Sequence, residues 1–172
     1  DEINRRKNMG LNCSHGAWRG AHSAFHKWRI EIAGLIGIPL ELMEGFYNEG
    51  YISDSGLELA MDWIMPRNGG PLCGDYRGSI LYHYIESVRL HLPLQWEMLR
   101  PNPLHILLHH SDCDGYIAPE DCRIIADRLQ ELIRFLPKEK DPGHIGYWDK
   151  KTQTFIDGLR SAASANEPLL FR

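Results

Sequence analysis

The stretch "HHSDCDGYIAPEDCRIIADRLQELIRFL", residues 109–136, carries the clearest helix of the chain and its most polar loop. The second half predicts a helix, because Pro119 suits a first helical turn and Glu120 and Asp121 complement the positive end of the helix dipole. Apolar residues recur there at helical spacing and predict one buried face; they are Ile124, Ile125, Leu129, Leu132, Ile133 and Leu136. The helix therefore starts directly after a loop rich in carboxylates.

Three short segments predict the strands. "LHILL" (residues 104–108) is five residues long and lies between Pro103 and the polar loop, which favours a buried strand. "GLNCSHGAWRG" (residues 10–20) predicts one strand and a turn, because glycines punctuate it. "PLLFR" (residues 168–172) predicts a final strand. Together these segments predict a small sheet of about three strands.

Helices fill most of the remaining chain. Phe25, Trp28 and Ile32 recur at helical spacing and predict a helix over residues 23–36. Further helices are predicted after Pro39 and over residues 55–66, 77–92 and 150–166. The fold class is therefore α+β and mostly helical, with the small sheet described above.

Length and composition predict one folded domain. The chain has 172 residues, of which 43% are apolar, and this is enough to bury a core. Residues 9–172 are predicted to form a single compact domain. The polar residues 1–8 are predicted to be a flexible N-terminal extension.

Charge and cysteine content exclude several classes of protein. The net charge is −4, and interspersed charges of both signs argue against sequence-independent binding of nucleic acid. No apolar run approaches the roughly 20 residues that span a bilayer, so no membrane partner is expected. The four cysteines form no C-x-x-C pair, and as reduced thiols they predict a cytoplasmic protein. A homo-oligomer stays open.

The loop "HHSDCDGYIAPED" is the first candidate site, and a metal is one interpretation of it. With His110 at position 1, the carboxylates of Asp112, Asp114 and Asp121 fall at positions 3, 5 and 12, and Gly115 takes the sharp turn. Over these dozen residues the loop resembles the EF-hand family, and the resemblance implies a calcium site. His110 brings a nitrogen where that family has an oxygen, and Asp121 is shorter than its glutamate.

The same residues resemble a second family. "ILLHHSDCDG" is similar to the first motif of the DHH phosphoesterases, an apolar strand that runs into His-x-Asp-x-Asp-Gly. The resemblance implies that His110, Asp112 and Asp114 bind manganese and prepare a water for attack on a phosphoester. The sequence lacks an Asp-His-His triplet. The predicted metal ligands are His110, Asp112, Asp114 and Asp121, with calcium, manganese or magnesium as the divalent ion.

A structural interpretation of the loop stays open beside the metal. Asp, Gly and Ser also build tight turns, and Asp112 or Asp114 can accept hydrogen bonds from backbone N–H groups. The two carboxylates repel each other unless a cation lies between them, and His110 or an arginine can serve as well as a metal. The nearby soft ligands match no common zinc spacing; they are Cys113, Cys122, His109 and His110.

A second unusual stretch, "SHGAWRGAHSAFHKWR", predicts a site for a small anion. Arg19 and the free N–H groups at the start of the following helix favour negative charge. Trp18 offers a surface for a stacked base, and His22 and His26 share a helix face. The predicted ligand-binding residues are Trp18, Arg19, His22, Ser23 and His26. A surface helix with solvated histidines is the alternative, and whether the two stretches meet depends on the tertiary structure.

Three motifs together resemble a group of small proteins encoded by bacteriophages and prophages. They are W-x-G-x-x-S-x-F-x-x-W-R, HSDCDG-x-I-x-P-x-x-C and TFIDGLRSAASANEPLLF. The resemblance implies a protein made in the cytoplasm of an infected host cell, where it acts against a host defence. We therefore predict a protein that binds a small anionic, nucleotide-like ligand, with an Asp-rich loop that holds a metal. A metal-dependent phosphoester hydrolase that uses His110, Asp112 and Asp114 is the alternative.

Overall fold

A computed structural model describes residues 10–47, 90–99, 101–136 and 148–172. Contacts between Cα atoms divide the chain into two units, Asp1–Trp28 with Ile106–Arg172, and Arg29–His105. The N-terminal extension, the helix predicted over residues 55–66 and most of the one predicted over residues 77–92 lie outside the described residues. The single-domain prediction stays a prediction.

The described residues confirm a mostly helical α+β fold. The helices are α1 (His22–Leu35), α2 (Leu104–Leu108), α3 (Pro119–Leu132) and α4 (Trp148–Ala165). Short 3-10 helices lie at Ser14–Gly16, Leu40–Leu42, Trp96–Met98 and Ile133–Phe135. The strands are β1 (Leu11–Asn12), β2 (Arg19–Gly20), β3 (Tyr116–Ile117) and β4 (Leu169–Leu170).

Helix α3 begins where its sequence predicts. Pro119 stands in its first turn with Glu120 and Asp121. Its buried residues pack against α4; they are Cys122, Ile125, Ala126, Leu129 and Leu132. Ile124 was predicted for this face and is instead half exposed, because the buried stripe runs through Cys122, Ile125 and Ala126.

Helix α4 and the turn before β2 approach each other closely. A Cβ added at Gly158 would lie 2.5 Å from the Cα of Ala17 and 2.8 Å from its backbone nitrogen. Real Cβ atoms essentially never come that close to another heavy atom. Gly158 therefore sets the spacing between α4 and the turn that contains Ala17.

The segment "LHILL" is a helix, so the predicted strand is wrong. The side-chain Oδ1 of Asn102 accepts a hydrogen bond from Leu104 N at 2.9 Å, as a helix N-cap does. Pro103 follows the cap, where a proline costs the helix no hydrogen bond. Leu104, Leu107 and Leu108 are fully buried, and this spacing of three and four is helical.

The strands form two antiparallel ladders instead of a single sheet of three strands. β1 pairs with β2, and β3 pairs with β4. The C-terminal residues link the two ladders: Phe171 forms an isolated bridge with Cys13, and Asn12 exchanges backbone hydrogen bonds of 2.9 and 3.1 Å with Arg172. Phe171 N donates on the opposite side to Gly115 O at 2.9 Å. The end of the chain therefore joins the β1 region to the loop before β3.

An aromatic cluster forms the core of the unit that contains the chain termini. The Phe25 and Trp28 rings lie 5.1 and 5.3 Å from the Trp18 ring, and Phe155 lies 4.8 Å from Trp28. Trp28 Nε1 donates to Thr152 Oγ1 at 2.8 Å, so this buried indole has a polar partner. Trp18, Phe25 and Trp28 of this cluster belong to the stretch that also carries His22.

The other unit, Arg29–His105, is described over fewer residues. Leu94 pairs with the segment after the 3-10 helix Leu40–Leu42, since Leu94 N donates to Leu42 O and Glu44 N donates to Leu94 O. Arg29 is 2% exposed, and its guanidinium lies 5.2 Å from the centre of the Phe46 ring. Within the described parts of the chain, no helix combines the length and the apolar composition that a bilayer crossing requires.

Candidate metal site

His110 braces the loop between α2 and β3. Its Nδ1 lies 2.6 Å from Ser111 O, its Nε2 lies 3.1 Å from Tyr116 O, and its ring stacks on Phe171 at 4.1 Å. Carbonyl oxygens only accept hydrogen bonds, so a ring nitrogen that donates to one has no lone pair for a metal. A role for His110 as a metal ligand would require the ring to leave these carbonyls.

Ser111 and Asp114 form the turn of the loop. Ser111 Oγ donates to Asp114 Oδ1 at 2.7 Å, and Cys113 N donates to Ser111 Oγ at 3.2 Å. Gly115 follows with φ +98°, a backbone conformation that glycine adopts without strain. These contacts support the turn interpretation for Asp114.

The two unusual stretches of the sequence meet at His22 and Asp112. His22 Nδ1 lies 2.7 Å from Asp112 O, although the residues are 90 positions apart in the chain. A neutral imidazole that donates from Nδ1 keeps a lone pair on Nε2, and metal-binding histidines are commonly oriented in this way by a carbonyl. The sequence alone did not determine that these stretches share a site.

Three side chains of kinds that can bind a metal converge at this point. One ligand atom each from His22, Asp112 and Cys113 lies within 4.8 Å of the other two. His22 and Asp112 are half-buried, whereas Cys113 is exposed. An imidazole, a carboxylate and a thiol are a ligand set of mixed hardness, which suits a zinc-class ion better than calcium.

Asp112 favours the protonated form of the Cys113 thiol. Cys113 Sγ donates to Asp112 Oδ1 at 3.3 Å. This hydrogen bond, followed by the charge of Asp112, raises the pKa of the Cys113 thiol above its ordinary value, and Asp114 adds to the effect. Two nearby carboxylates thus favour a neutral thiol or a bound cation.

The predicted metal ligands share only Asp112 with this cluster. Within the described residues, neither His110, Asp114 nor Asp121 joins it. Asp121 lies in the first turn of α3. Of the cysteines and histidines considered for zinc, Cys113 is the one found in this cluster among the described residues. Cys122 is fully buried. No local sequence pattern joins His22 to this loop, because it lies in α1, 90 positions from Asp112.

The five residues predicted to bind an anion lie in different environments in the folded chain. Trp18 is 1% exposed and packs in the aromatic cluster, which corrects its prediction as a stacking surface. His22 faces Asp112. Arg19 and Ser23 are exposed, and His26 is half-buried. The Trp18 ring is buried because Phe25 and Trp28 pack against it.

Two polar contacts lay beyond what the sequence predicted. The Lys151 ammonium lies 4.9 Å from the centre of the Trp18 ring. His15 contacts Glu167 Oε2 through Nε2 at 3.0 Å and Ser161 Oγ through Nδ1 at 3.2 Å, and it thereby ties its turn to the end of α4. Lys151 carries no signal in the sequence, because lysine is common on an exposed helix face.

A scan against protein-family models finds no match, and neither do searches of curated proteins and of solved structures.

Proposed function

We propose that the protein binds a divalent ion of the zinc class through His22, Asp112 and Cys113, and that the ion helps to hold a small anionic ligand. The convergence of three unlike ligands from two distant segments carries this proposal. Zinc accepts nitrogen, oxygen and sulfur ligands together, whereas calcium and magnesium take oxygen. The ligand set therefore favours zinc over the ions predicted from the loop alone.

Three protein ligands leave one position of a tetrahedral ion for another ligand. Zinc sites that work on a substrate commonly keep this position open, and an anion or a water can fill it. A small anionic, nucleotide-like ligand is the class predicted from the sequence. The origin in a bacteriophage and the action against a host defence rest on the sequence resemblance.

The open position also keeps a metal-dependent hydrolase as the second candidate. A zinc-bound water is acidic enough to supply hydroxide near neutral pH. Release of phosphate from a nucleotide by the zinc-loaded protein, lost in Asp112→Asn, would favour the hydrolase. Retained ligand binding without turnover favours the binding protein.

Zinc titration of the EDTA-treated full-length protein, measured by calorimetry, tests the site. We expect one zinc per chain, and His22→Ala, Asp112→Asn and Cys113→Ser should each weaken binding by at least about tenfold. Cobalt should give a thiolate charge-transfer band that Cys113→Ser removes. His109→Ala is the matched control, because His109 is exposed beside the loop and lies outside the cluster.

A calcium titration separates this site from an EF-hand-like loop. The loop interpretation predicts calcium binding that depends on Asp114 and Asp121 and ignores His22. Zinc binding that survives His22→Ala, or the absence of zinc binding by wild type, would overturn the proposed site.

A further inference from the structure

Among the residues that the structure describes, the indole nitrogen of Trp18 is a buried donor without a hydrogen-bond partner. The side chain is 1% exposed, and Nε1 finds no hydrogen-bond acceptor among the described residues. Nearly all buried polar groups in proteins have a partner, so each exception needs a physical explanation such as a ligand or an ion. The indole of Trp28, in the same cluster, donates to Thr152.

Gly20 leaves a space beside this nitrogen. The place where a Cβ would stand at Gly20 is 3.5 Å from Trp18 Nε1 and 4.0 Å from Lys151 Nζ. Two nitrogen donors, one of them charged, therefore converge on a point that a side chain would otherwise occupy. Within the described residues, Lys151 contacts the Trp18 ring and forms no ion pair with a carboxylate.

The start of α1 adds to the positive character of this place. The helix begins at His22, two residues after Gly20, and its first turn contains no acidic residue. The unpaired N–H groups of a helix start favour negative charge, and this helix has 14 residues. Arg19 is exposed on the strand that leads into it.

We propose that a small oxyanion of the phosphate class binds against the backbone of Gly20, where it accepts a hydrogen bond from Trp18 Nε1 and pairs with Lys151. Nε1 is closed to solvent in this structure. The Lys151 side chain therefore rotates from the face of the indole to the anion and uncovers the N–H. The site shares no residue with the metal cluster, so it goes beyond the proposed metal binding.

Titration with inorganic phosphate tests the site in the EDTA-treated full-length protein, in a buffer free of phosphate. Indole N–H resonances are followed by NMR, and Trp18→Phe assigns the Trp18 signal because phenylalanine keeps a ring and removes the donor. Phosphate should move the Trp18 signal, as expected when that N–H gains a charged acceptor.

Lys151→Met should weaken phosphate binding by about tenfold or more, since it removes the charge and keeps most of the side-chain length. Lys150→Met is the matched control, because it removes the same charge from the residue directly before Lys151 in α4. It should leave the affinity for phosphate unchanged. If Trp18→Phe fails to fold, the comparison of the two lysine variants still decides the matter.

A parallel titration with a nucleoside monophosphate identifies the source of the anion. Tighter binding than inorganic phosphate, with the same loss in Lys151→Met, would assign a phosphoester, and equal affinity would assign free phosphate. An unmoved Trp18 signal, or equal affinity of wild type and Lys151→Met, would overturn the inference. Because zinc is absent throughout, these results are independent of the metal proposal.

Discussion

Trp18 and Trp28 show how one neighbouring atom decides the cost of a buried donor. Both indoles are buried in the same aromatic cluster. Thr152 Oγ1 accepts from Trp28 Nε1 and donates in turn to Trp148 O at 2.7 Å. Trp18 Nε1 has no such acceptor among the described residues. The Thr152 hydroxyl therefore fixes Trp28, whereas the described residues supply no acceptor for Trp18 Nε1.

Thr152→Val is expected to lower the free energy of unfolding by about 1–3 kcal/mol, because it keeps the shape of the side chain and leaves Trp28 Nε1 unpaired. Chemical denaturation checks this value. Thr154→Val is the matched control, since Thr154 donates to Lys150 O on an exposed face of the same helix. A Thr152→Val loss no larger than that of the control would show that the buried hydrogen bond adds little stability.

At the scale of elements, α2 shows that a short, dense apolar segment does not by itself distinguish a strand from a helix. The five residues of "LHILL", between Pro103 and the polar loop, predict a strand by their length and apolar content. Asn102 followed by Pro103 is a helix-start signal that the strand prediction did not consider. Capping acts through one specific hydrogen bond, so it can override a preference that follows from composition.

Gly158→Ala is expected to destabilise the protein by about 1–3 kcal/mol or more, because the new Cβ would overlap the backbone of Ala17. Alanine favours a helix over glycine by only about 1 kcal/mol, so the overlap decides the sign. Thermal unfolding followed by circular dichroism measures the change.

Gly34→Ala is the control for this change, because Gly34 also lies in a helix and no heavy atom of the described residues comes within 4 Å of a new Cβ there. It should stabilise the protein by up to about 1 kcal/mol. If both glycines gave the same sign, the close approach of α4 to Ala17 would be wrong.

At the scale of the whole molecule, the C-terminal residues hold the candidate metal site in place. Phe171 is 3% exposed, stacks on His110 and lies 5.9 Å from Phe25 at ring centres. The same segment bonds to β1 on one side and to Gly115 on the other. The loop that carries Asp112 and Cys113 is thus fastened to residues more than 50 positions away.

Phe171→Ala is expected to cost about 3–5 kcal/mol of stability, because it empties a buried aromatic position. It should also weaken zinc binding, since His110 loses the ring that holds it in the loop. Phe171→Leu keeps most of the apolar volume and should cost less. Denaturation and zinc titration of both variants measure the two effects. An unchanged zinc affinity in Phe171→Ala would show that the metal site does not depend on the contacts of the C-terminal segment.

The sequence by itself determined the helices with long periodic faces, because residues a few positions apart decide whether such a face forms. Helices α1 and α3 follow from such faces, and the sequence also predicts α4, the turn at Gly115 and the final strand at Leu169–Leu170. The loop around Asp112 was also recognised as a candidate site from its residues alone.

Tertiary structure alone decided which residues share a site. His22 contacts Asp112 across 90 positions, the Lys151 ammonium lies 4.9 Å from the centre of the Trp18 ring, and His110 faces backbone carbonyls. Such contacts depend on how helices and the C-terminal segment pack, and packing free energy is summed over many distant pairs. Local sequence patterns do not record those pairs, so the approach of His22 to Asp112 and of Lys151 to the Trp18 ring was visible only in the folded chain.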